Sequence, residues 1–417
     1  MPETLQSALG FAALAIVSYL LSENRKLALS KTVFAALGLQ LVLGALLLWL
    51  PAAQKLFAPI NAAAMAVSRA TEAGTSFVFG YVGGGEIPFM EKTPAASTYV
   101  LAFRGLFLLV VVSALSSLLF YWRVLPAVVR AFSWCLQKTL GVGGAEGLSA
   151  AANIFLGMIE APLFIRPYII KLNRGELFSV MTCGMATIAG TVMVLYANIL
   201  NSVIPDAMGH ILTASIISAP AAIAVAHLMV PGDPAVKTGA AKIELPRADS
   251  SMEAIANGTS QGVAMLINII AMLVVLLALV ALVNSILGFL PHGAGPAVTL
   301  QGILGYIMAP VVWLIGIPWD QCLTAGSLMG VKTILNELLA YLQMAGLPDG
   351  ALSDRARLIM TYAMCGFANP GSLGIMLAGL SMLAPERKSE IARLGLKSIV
   401  AGTIATLMTG AVVGMFT

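Results

Sequence analysis

Residues 149–168 read SAAANIFLGMIEAPLFIRPY. The stretch is apolar enough to enter a bilayer. It nevertheless carries a carboxylate, Glu160, with Gly157 three positions before it and Pro162 two after it. The surrounding segment, residues 139–172, begins and ends in basic sequence, with Lys138 on one flank and Arg166, Lys171 and Arg174 on the other. A single crossing would put those basic ends on opposite sides of the membrane. A hairpin that enters and returns keeps them on one side and leaves the interrupted tip, with its acid, at membrane depth. Non-helical backbone is tolerated there only where protein or a water-filled cavity covers it. The tip therefore predicts an interior site.

The rest of the chain supplies the frame. Of 417 residues 59% are hydrophobic and 10% are charged, against roughly 25% charged in soluble globular chains. That is an integral membrane protein with several spans. The opening MPETLQ holds no Lys or Arg, so the apolar run behind it lacks the basic flank of a cleavable signal peptide and reads as the first span. The cysteines (Cys135, Cys183, Cys322, Cys365) and histidines (His210, His227, His292) are dispersed, which predicts neither a disulfide framework nor a metal cluster. The net charge of +4 implies no nucleic-acid partner.

A span needs about 20 apolar residues. Candidates are 6–22, 32–50, 100–122, 177–200, 211–230, 262–288 and 393–415, with a polar-interrupted eighth over about 355–383. Basic residues decide orientation. Placing Arg25, Lys26 and Lys31 in the cytoplasm also places there Arg123, Arg130 and Lys138, then Arg166, Lys171 and Arg174, then Lys237, Lys242 and Arg247, and last Arg387, Lys388, Arg393 and Lys397. These are most of the 23 basic residues. Both termini are then expected outside. Residues 299–343 begin and end on the outer side around an apolar body, which predicts a second hairpin of opposite orientation. Residues 52–92, of mixed polarity, predict an interfacial helix. Residues 231–260 form the long polar linker between the halves.

After residue 139 the order is hairpin, broken span, span, and after residue 299 it recurs from the opposite side. Inverted repeats of this kind typify secondary transporters, whose solutes bind where broken helices meet near the midplane. The breaks are CGMATIAGT (183–191) and CGFANPGSLG (365–374). The expected fold is thus an all-α polytopic membrane protein of eight transmembrane helices and two oppositely oriented re-entrant hairpins.

Polar groups at membrane depth are costly and mark sites. Here they are Asn153 and Glu160 in the first hairpin and Thr187 in the first broken span. Lys332, Thr333, Asn336 and Glu337 follow in the second hairpin, and Asn369 and Ser372 in the second broken span. Plainer roles exist for each. Glu160 could pair with Arg166, and Glu337 with Lys332. Asn369 could cap the second half of its helix, and Thr187 could bond back to its own turn. Taken together, these acids, amides and hydroxyls at helix breaks make a poor structural core and a reasonable cage for a hydroxyl-rich solute. An intramembrane hydrolase built on Glu160 and Glu337 would lack a metal cluster and a nucleophile–base pair, so no enzyme is expected. A passive channel fits buried acids within paired hairpins less well than occlusion does.

The pattern SAAANIFLG..EAPL.IRPY at 149–168, NE at 336–337 and CGFAN..S at 365–372 resembles the concentrative nucleoside transporters. The likeness runs from the NRK after the first span to AP-RK-IARLGLK before the last. The resemblance implies a homotrimer in the inner membrane that imports nucleosides with sodium. It implies a scaffold of spans 1–3 with the interfacial helix (1–125), joined by the linker and span 6 (231–298). The two repeats, 126–230 and 299–417, would form the transport domain. By position it places Gly157, Met158, Ile159, Glu160, Val192, Glu337, Phe367, Asn369 and Ser372 at the solute, and Asn153, Leu156, Thr187 and Ile188 at a sodium ion. Thr187 stands where a Ser is expected, with the hydroxyl retained. Some relatives use protons instead.

One departure matters. The family pattern at the first tip is Gly-Gln-Thr/Ser-Glu, whose middle pair reads the nucleobase, whereas this chain has Gly157-Met158-Ile159-Glu160. Ser327 also stands at a position often acidic. Apolar pockets discriminate weakly and hydrogen-bonding ones strongly. The sequence thus predicts a nucleoside symporter of relaxed or shifted base preference. Proton coupling, or another small polar solute on the same fold, is the alternative.

Overall fold

The structure, a computed structural model, describes residues 3–49, 51–89, 99–232, 238–239, 248–290 and 297–417. Lys237, Lys242, Arg247 and His292 fall outside these, as do residues 90–92 of the expected interfacial segment. The described residues are helical throughout, without strands.

The first part of the chain forms α1 (Glu3–Leu20), the short α2 (Arg25–Ala28), α3 (Lys31–Trp49), α4 (Pro51–Phe79) and α5 (Phe107–Tyr121), the last preceded by a π turn over Leu101–Gly105. Then come α6 (Val124–Leu140), α7 (Gly144–Asn153), α8 (Glu160–Leu163), α9 (Arg174–Ala186), α10 (Gly190–Leu200) and α11 (Ala207–Met229). After α12 (Ser251–Leu287) the order recurs as α13 (Leu300–Leu314), α14 (Cys322–Ile334), α15 (Glu337–Ala345), α16 (Asp354–Ala363), α17 (Pro370–Leu383) and α18 (Lys388–Phe416).

Seven helical stretches among the described residues are long and apolar enough to span, and they fall on seven of the expected spans. The eighth is the pair α16 and α17, each too short to span alone, separated by residues 364–369. The first broken span divides into α9 and α10 across Thr187–Ala189.

Three boundaries differ from expectation. The segment 299–343 is not one hairpin: α13 ends at Leu314, and the chain turns at Gly316, whose φ of 107° is open to glycine and strained for other residues, with Pro318 close behind. The second tip is the Leu335–Asn336 break between α14 and α15, so the repeat is one helix longer than expected. In the first repeat α6 takes the corresponding place, and it already covers residues 139 and 140. The linker is also shorter than 231–260. α12 starts at Ser251 because the Ser250 hydroxyl accepts from Glu253 N at 3.1 Å while Asp249 N donates to Glu253 Oε2 at 2.6 Å. This is a reciprocal cap written in the sequence as S-x-x-E.

Burial sorts the spans into two groups. In Arg174–Leu200 and Ala207–Met229 89% of the spanning window is buried, and in Pro385–Phe416 78%, against 17% in Ser251–Leu287 and 22% in Lys31–Trp49. The repeats therefore form the interior. α11 and α18 pack on each other at its centre, α9 and α16 against them, and α1 and α3 outside. On the far flank α12 lies along α5. Gly258 and Gly262, one turn apart, let the backbones meet: a Cβ at Gly262 would stand 2.7 Å from Val110 Cα. This is the close small-residue approach that helix pairs use in lipid.

Candidate functional site

α7 ends at Asn153, and the chain turns through residues 154–159 before α8 opens on Glu160. The turn is pinned from the neighbouring break, where Gly190 N donates to Phe155 O at 3.0 Å. Only glycine fits there, since a Cβ would stand 2.5 Å from that carbonyl. Backbone N–H groups of Gly157, Ile159 and Glu160 turn towards the Glu160 carboxylate, whose oxygen also covers the Cα of Gly157. Arg166 is exposed and makes no ion pair with Glu160 among the described residues, so that plainer role does not hold.

The second repeat holds its acid with side chains. Asn336 caps α15, its Oδ1 accepting from Leu339 N at 2.9 Å, and Glu337 follows as the first helical residue. Tyr196 Oη donates to Glu337 Oε1 at 2.6 Å and Asn369 Nδ2 donates to Oε2 at 3.2 Å. Both carboxylate oxygens therefore accept a hydrogen bond. Asn369 serves twice, because its Oδ1 caps α17 by accepting from Ser372 N at 2.8 Å. Pro370 at the first helical position lacks the N–H that such a position leaves unpaired. The two breaks touch: Phe367 N donates to Thr187 O at 3.3 Å.

These elements enclose a cavity of about 360 Å³, within the roughly 300–1,000 Å³ of small-molecule sites. All nine residues expected at the solute line it. Glu160, Glu337, Asn369 and Ser372 supply its polar groups, and Met158, Ile159, Val192 and Phe367 its apolar wall. Among the other lining residues are two polar ones that sequence reasoning missed, Tyr196 and Asn268. Tyr196 gave no signal beyond being a tyrosine in an apolar helix. Asn268 did give one, as the sole polar side chain of residues 263–283 in α12. A second cavity of about 670 Å³ adjoins the first through Gly157, Glu160, Ala189 and Met265, and is lined by polar residues including Ser113, Asn257 and Gln261.

Asn153, Leu156, Thr187 and Ile188 are all buried, and Asn153 Oδ1 stands 3.7 Å from where a side chain on Gly184, one turn before Thr187, would begin. Asn153 Nδ2 donates to Ser149 O at 3.0 Å, which leaves its Oδ1 buried without a partner. Thr187 Oγ1 donates to Cys183 O at 2.8 Å, the back-bond weighed above, and keeps its lone pairs free to accept. An orphaned amide oxygen beside a hydroxyl and broken-helix carbonyls suits a hard monovalent cation.

Comparison with known proteins agrees with this geometry. The family model for the C-terminal part of Na+ dependent nucleoside transporters matches residues 210–414, that for the N-terminal part matches 9–82, and a nucleoside recognition model matches 102–203. The nucleoside permease NupC of Helicobacter pylori is 33% identical over 99% of this chain and 98% of its own. The chain belongs to the concentrative nucleoside transporter family. A transporter of Haemophilus influenzae is 37% identical over 99% of this chain and 97% of its own, and the rat sodium/nucleoside cotransporter 2 is 32% identical over 99% of this chain and 63% of its own. The solved structure of CNTnw in an inward-facing, substrate-bound state superposes with a TM-score of 0.90 at 36% identity, covering all of both chains. As a concentrative nucleoside transporter the protein is a multi-pass permease and not an enzyme.

Proposed function

We propose that the protein is a nucleoside symporter of the inner membrane that uses sodium and alternates access around the 360 Å³ cavity. The observation that carries this reading is the lining of that cavity. It combines carboxylates and an amide already arranged around Glu337, which suit the two hydroxyls of a ribose, with an apolar slot of Phe367, Val192, Met158 and Ile159, which suits the faces of a base. Charge-assisted hydrogen bonds of the first kind contribute roughly 1.5–3 kcal/mol each. The slot grips a base without reading its edge, so purine and pyrimidine nucleosides are both accepted.

Asn153, Thr187 and the carbonyls of Leu156 and Ile188 hold the sodium ion, which is carried with the solute. The buried repeats move as the transport domain, and α1, α3, α5 and α12 remain as the scaffold of a homotrimer. With the basic loops in the cytoplasm and both termini outside, the polar 670 Å³ vestibule beside Arg166 opens inward and receives the released solute.

Uptake of labelled adenosine and uridine into proteoliposomes tests the reading. Accumulation of both under an inward sodium gradient is the expected result. Accumulation under a proton gradient alone would keep the nucleoside and remove sodium. Absence of uptake by folded protein would remove the nucleoside.

A further inference from the structure

The helices α5 and α12 carry polar groups that the solute cavity does not use. On α12, Asn257, Gln261, Met265 and Asn268 follow at helical spacing and share one face. Asn257, Ser260, Gln261 and Met265 line the cavity of about 670 Å³. Met265 and Asn268 line the solute cavity, so the stripe runs from one cavity into the other. On α5, Ser113, Ser116 and Ser117 line the larger cavity as well. Ser113 is satisfied, its Oγ donating to Gly258 O at 2.8 Å. Ser116, Ser117, Asn257, Ser260 and Gln261 make no hydrogen bond among the described residues. These are otherwise strongly apolar helices, and they leave their open donors and acceptors on one cavity wall.

The first repeat supplies the facing wall, with Gly157, Glu160 and, beyond α8, Arg166. Arg166 is exposed and makes no ion pair among the described residues. It is the sole base of this lining, and Glu160, shared with the solute cavity, is the sole acid. The larger cavity thus joins hydroxyls and amides to a guanidinium, where the smaller joins polar groups to two carboxylates. A guanidinium matches the oxygens of a phosphate in bidentate fashion. Two carboxylates repel one. The larger cavity also has the volume of a small-molecule site.

We propose that this larger cavity is a second, inhibitory site for the 5′-phosphorylated form of the transported nucleoside. The phosphate sits on Arg166, and the nucleoside part lies against the amides and hydroxyls of α12 and α5. The inference rests on the nucleoside reading and the inward orientation proposed above. A ligand held there ties the repeat that moves to the helices that stay. It stops the cycle without competing for the solute cavity, and uptake falls as the phosphorylated form accumulates inside.

The test uses right-side-out membrane vesicles from cells that lack other nucleoside uptake, loaded with uridine 5′-monophosphate, and purified protein melted with the same nucleotide. Internal nucleotide should lower the initial rate of labelled-uridine uptake, and the same concentration outside should not. Internal inorganic phosphate should leave the rate unchanged. In purified protein the nucleotide should raise the thermal midpoint both without uridine and at saturating uridine. Arg166→Gln should take up uridine as wild type does in unloaded vesicles and need about 10- to 100-fold more internal nucleotide for the same inhibition. Should that variant not yield monodisperse protein, Asn257→Leu with Gln261→Leu is read in the same way. A folded Arg166→Gln protein as sensitive as wild type overturns the proposal. So does equal inhibition by phosphate alone. Loss of the nucleotide's stabilisation at saturating uridine overturns it too, because the nucleotide would then sit in the solute cavity. Uptake that ignores internal nucleotide removes this proposal and leaves the nucleoside reading intact. Unloaded vesicles that take up no uridine would remove that reading, and this proposal with it.

Discussion

The two repeats hold their acids by different means. Glu337 is fixed by side chains, with Tyr196 on one oxygen and Asn369 on the other. Asn369 is in turn locked by capping α17, and Tyr196 stacks 5.2 Å from Tyr341, whose hydroxyl is tied to Thr361 O. Glu160 has only backbone N–H groups of its own turn and sits on a six-residue tip, against two residues at the other tip. A carboxylate held by locked side chains is preorganised for one geometry. One held by a turn moves with the turn. Under the proposed function the second repeat reads an invariant part of the solute, and the first adapts to a variable one.

Glu337→Gln should have the largest effect. The amide keeps the shape and can accept from Asn369 while donating to Tyr196 Oη, but it loses the negative charge and one acceptor oxygen that would face the sugar. At roughly 1.5–3 kcal/mol for each charge-assisted bond lost, apparent affinity should fall at least about 100-fold in uptake assays. The loss should be much smaller for 2′- and 3′-deoxynucleosides, which lack a hydroxyl to begin with. Equal losses for ribo- and deoxynucleosides would mean that Glu337 holds the fold and not the sugar. Glu160→Gln, on the adaptable tip, should weaken uptake by about 10- to 100-fold. Wild-type uptake by folded Glu160→Gln protein would make the contrast between the repeats one of structure only.

Much of this contrast was legible in the sequence, because lipid leaves few choices. An acid or amide at membrane depth must face an interior site, so Glu160, Glu337, Asn369 and Ser372 could be named from position alone, and all line one cavity. Breaks were legible for the same reason: Thr187, Ile188 and Gly190, or Asn369 and Pro370, cannot continue a helix without cost. What could not be read was tertiary. The meeting of the breaks through Phe367 N and Thr187 O joins residues 180 positions apart in unlike sequence. The separateness of α13 turns on the single backbone angle of Gly316. Tyr196 counts as a site residue only because α10 passes Glu337.

The adaptable tip can be sharpened. Met158 packs where a side chain on Gly184 would begin, 3.0 Å away, and Ile159 packs likewise on Gly379 at 3.1 Å. Met158→Gln with Ile159→Thr keeps similar volumes and restores hydrogen-bonding groups to the slot. The double variant should prefer one base over another by about 10-fold or more in a competition series with uridine, cytidine, adenosine and inosine, where wild type is nearly indifferent. Adding Asn268→Leu to the double variant should act in the opposite sense and less strongly, lowering the preference so created by a few-fold. Its deoxynucleoside profile should not change, since the bonds that arrange Glu337 come from α10 and α17. A strict uridine preference in wild type would show that the base is read elsewhere.

The smallest effect belongs to the ionic clasp at the ends of α1, α9 and α18, and it separates stability from binding. Glu23, in the turn after α1, takes two bonds from Arg174 at 3.0 and 3.1 Å and one from Lys397 at 2.5 Å, tying the first helices to the start of α9 and to α18. The Arg174 bonds, and after them the Lys397 bond, outweigh partial burial and hold the Glu23 carboxyl at about 2, against its usual 4.5. A depressed value in the folded state means that the unfolded state binds more protons in this range. The contribution is therefore complete above pH 4.5 and is lost as pH falls towards 2. Because Glu23 is largely solvated, water and salt reduce its worth to on the order of 1 kcal/mol. Glu23→Gln should lower the thermal midpoint by about 1 °C at pH 7, and the difference should shrink by about half or more at pH 3. Nucleoside affinity should not move, because the clasp touches neither tip. A change in affinity without a change in melting would place the clasp in the transport cycle, tying the motion of α9 and α18 to the helix it now anchors.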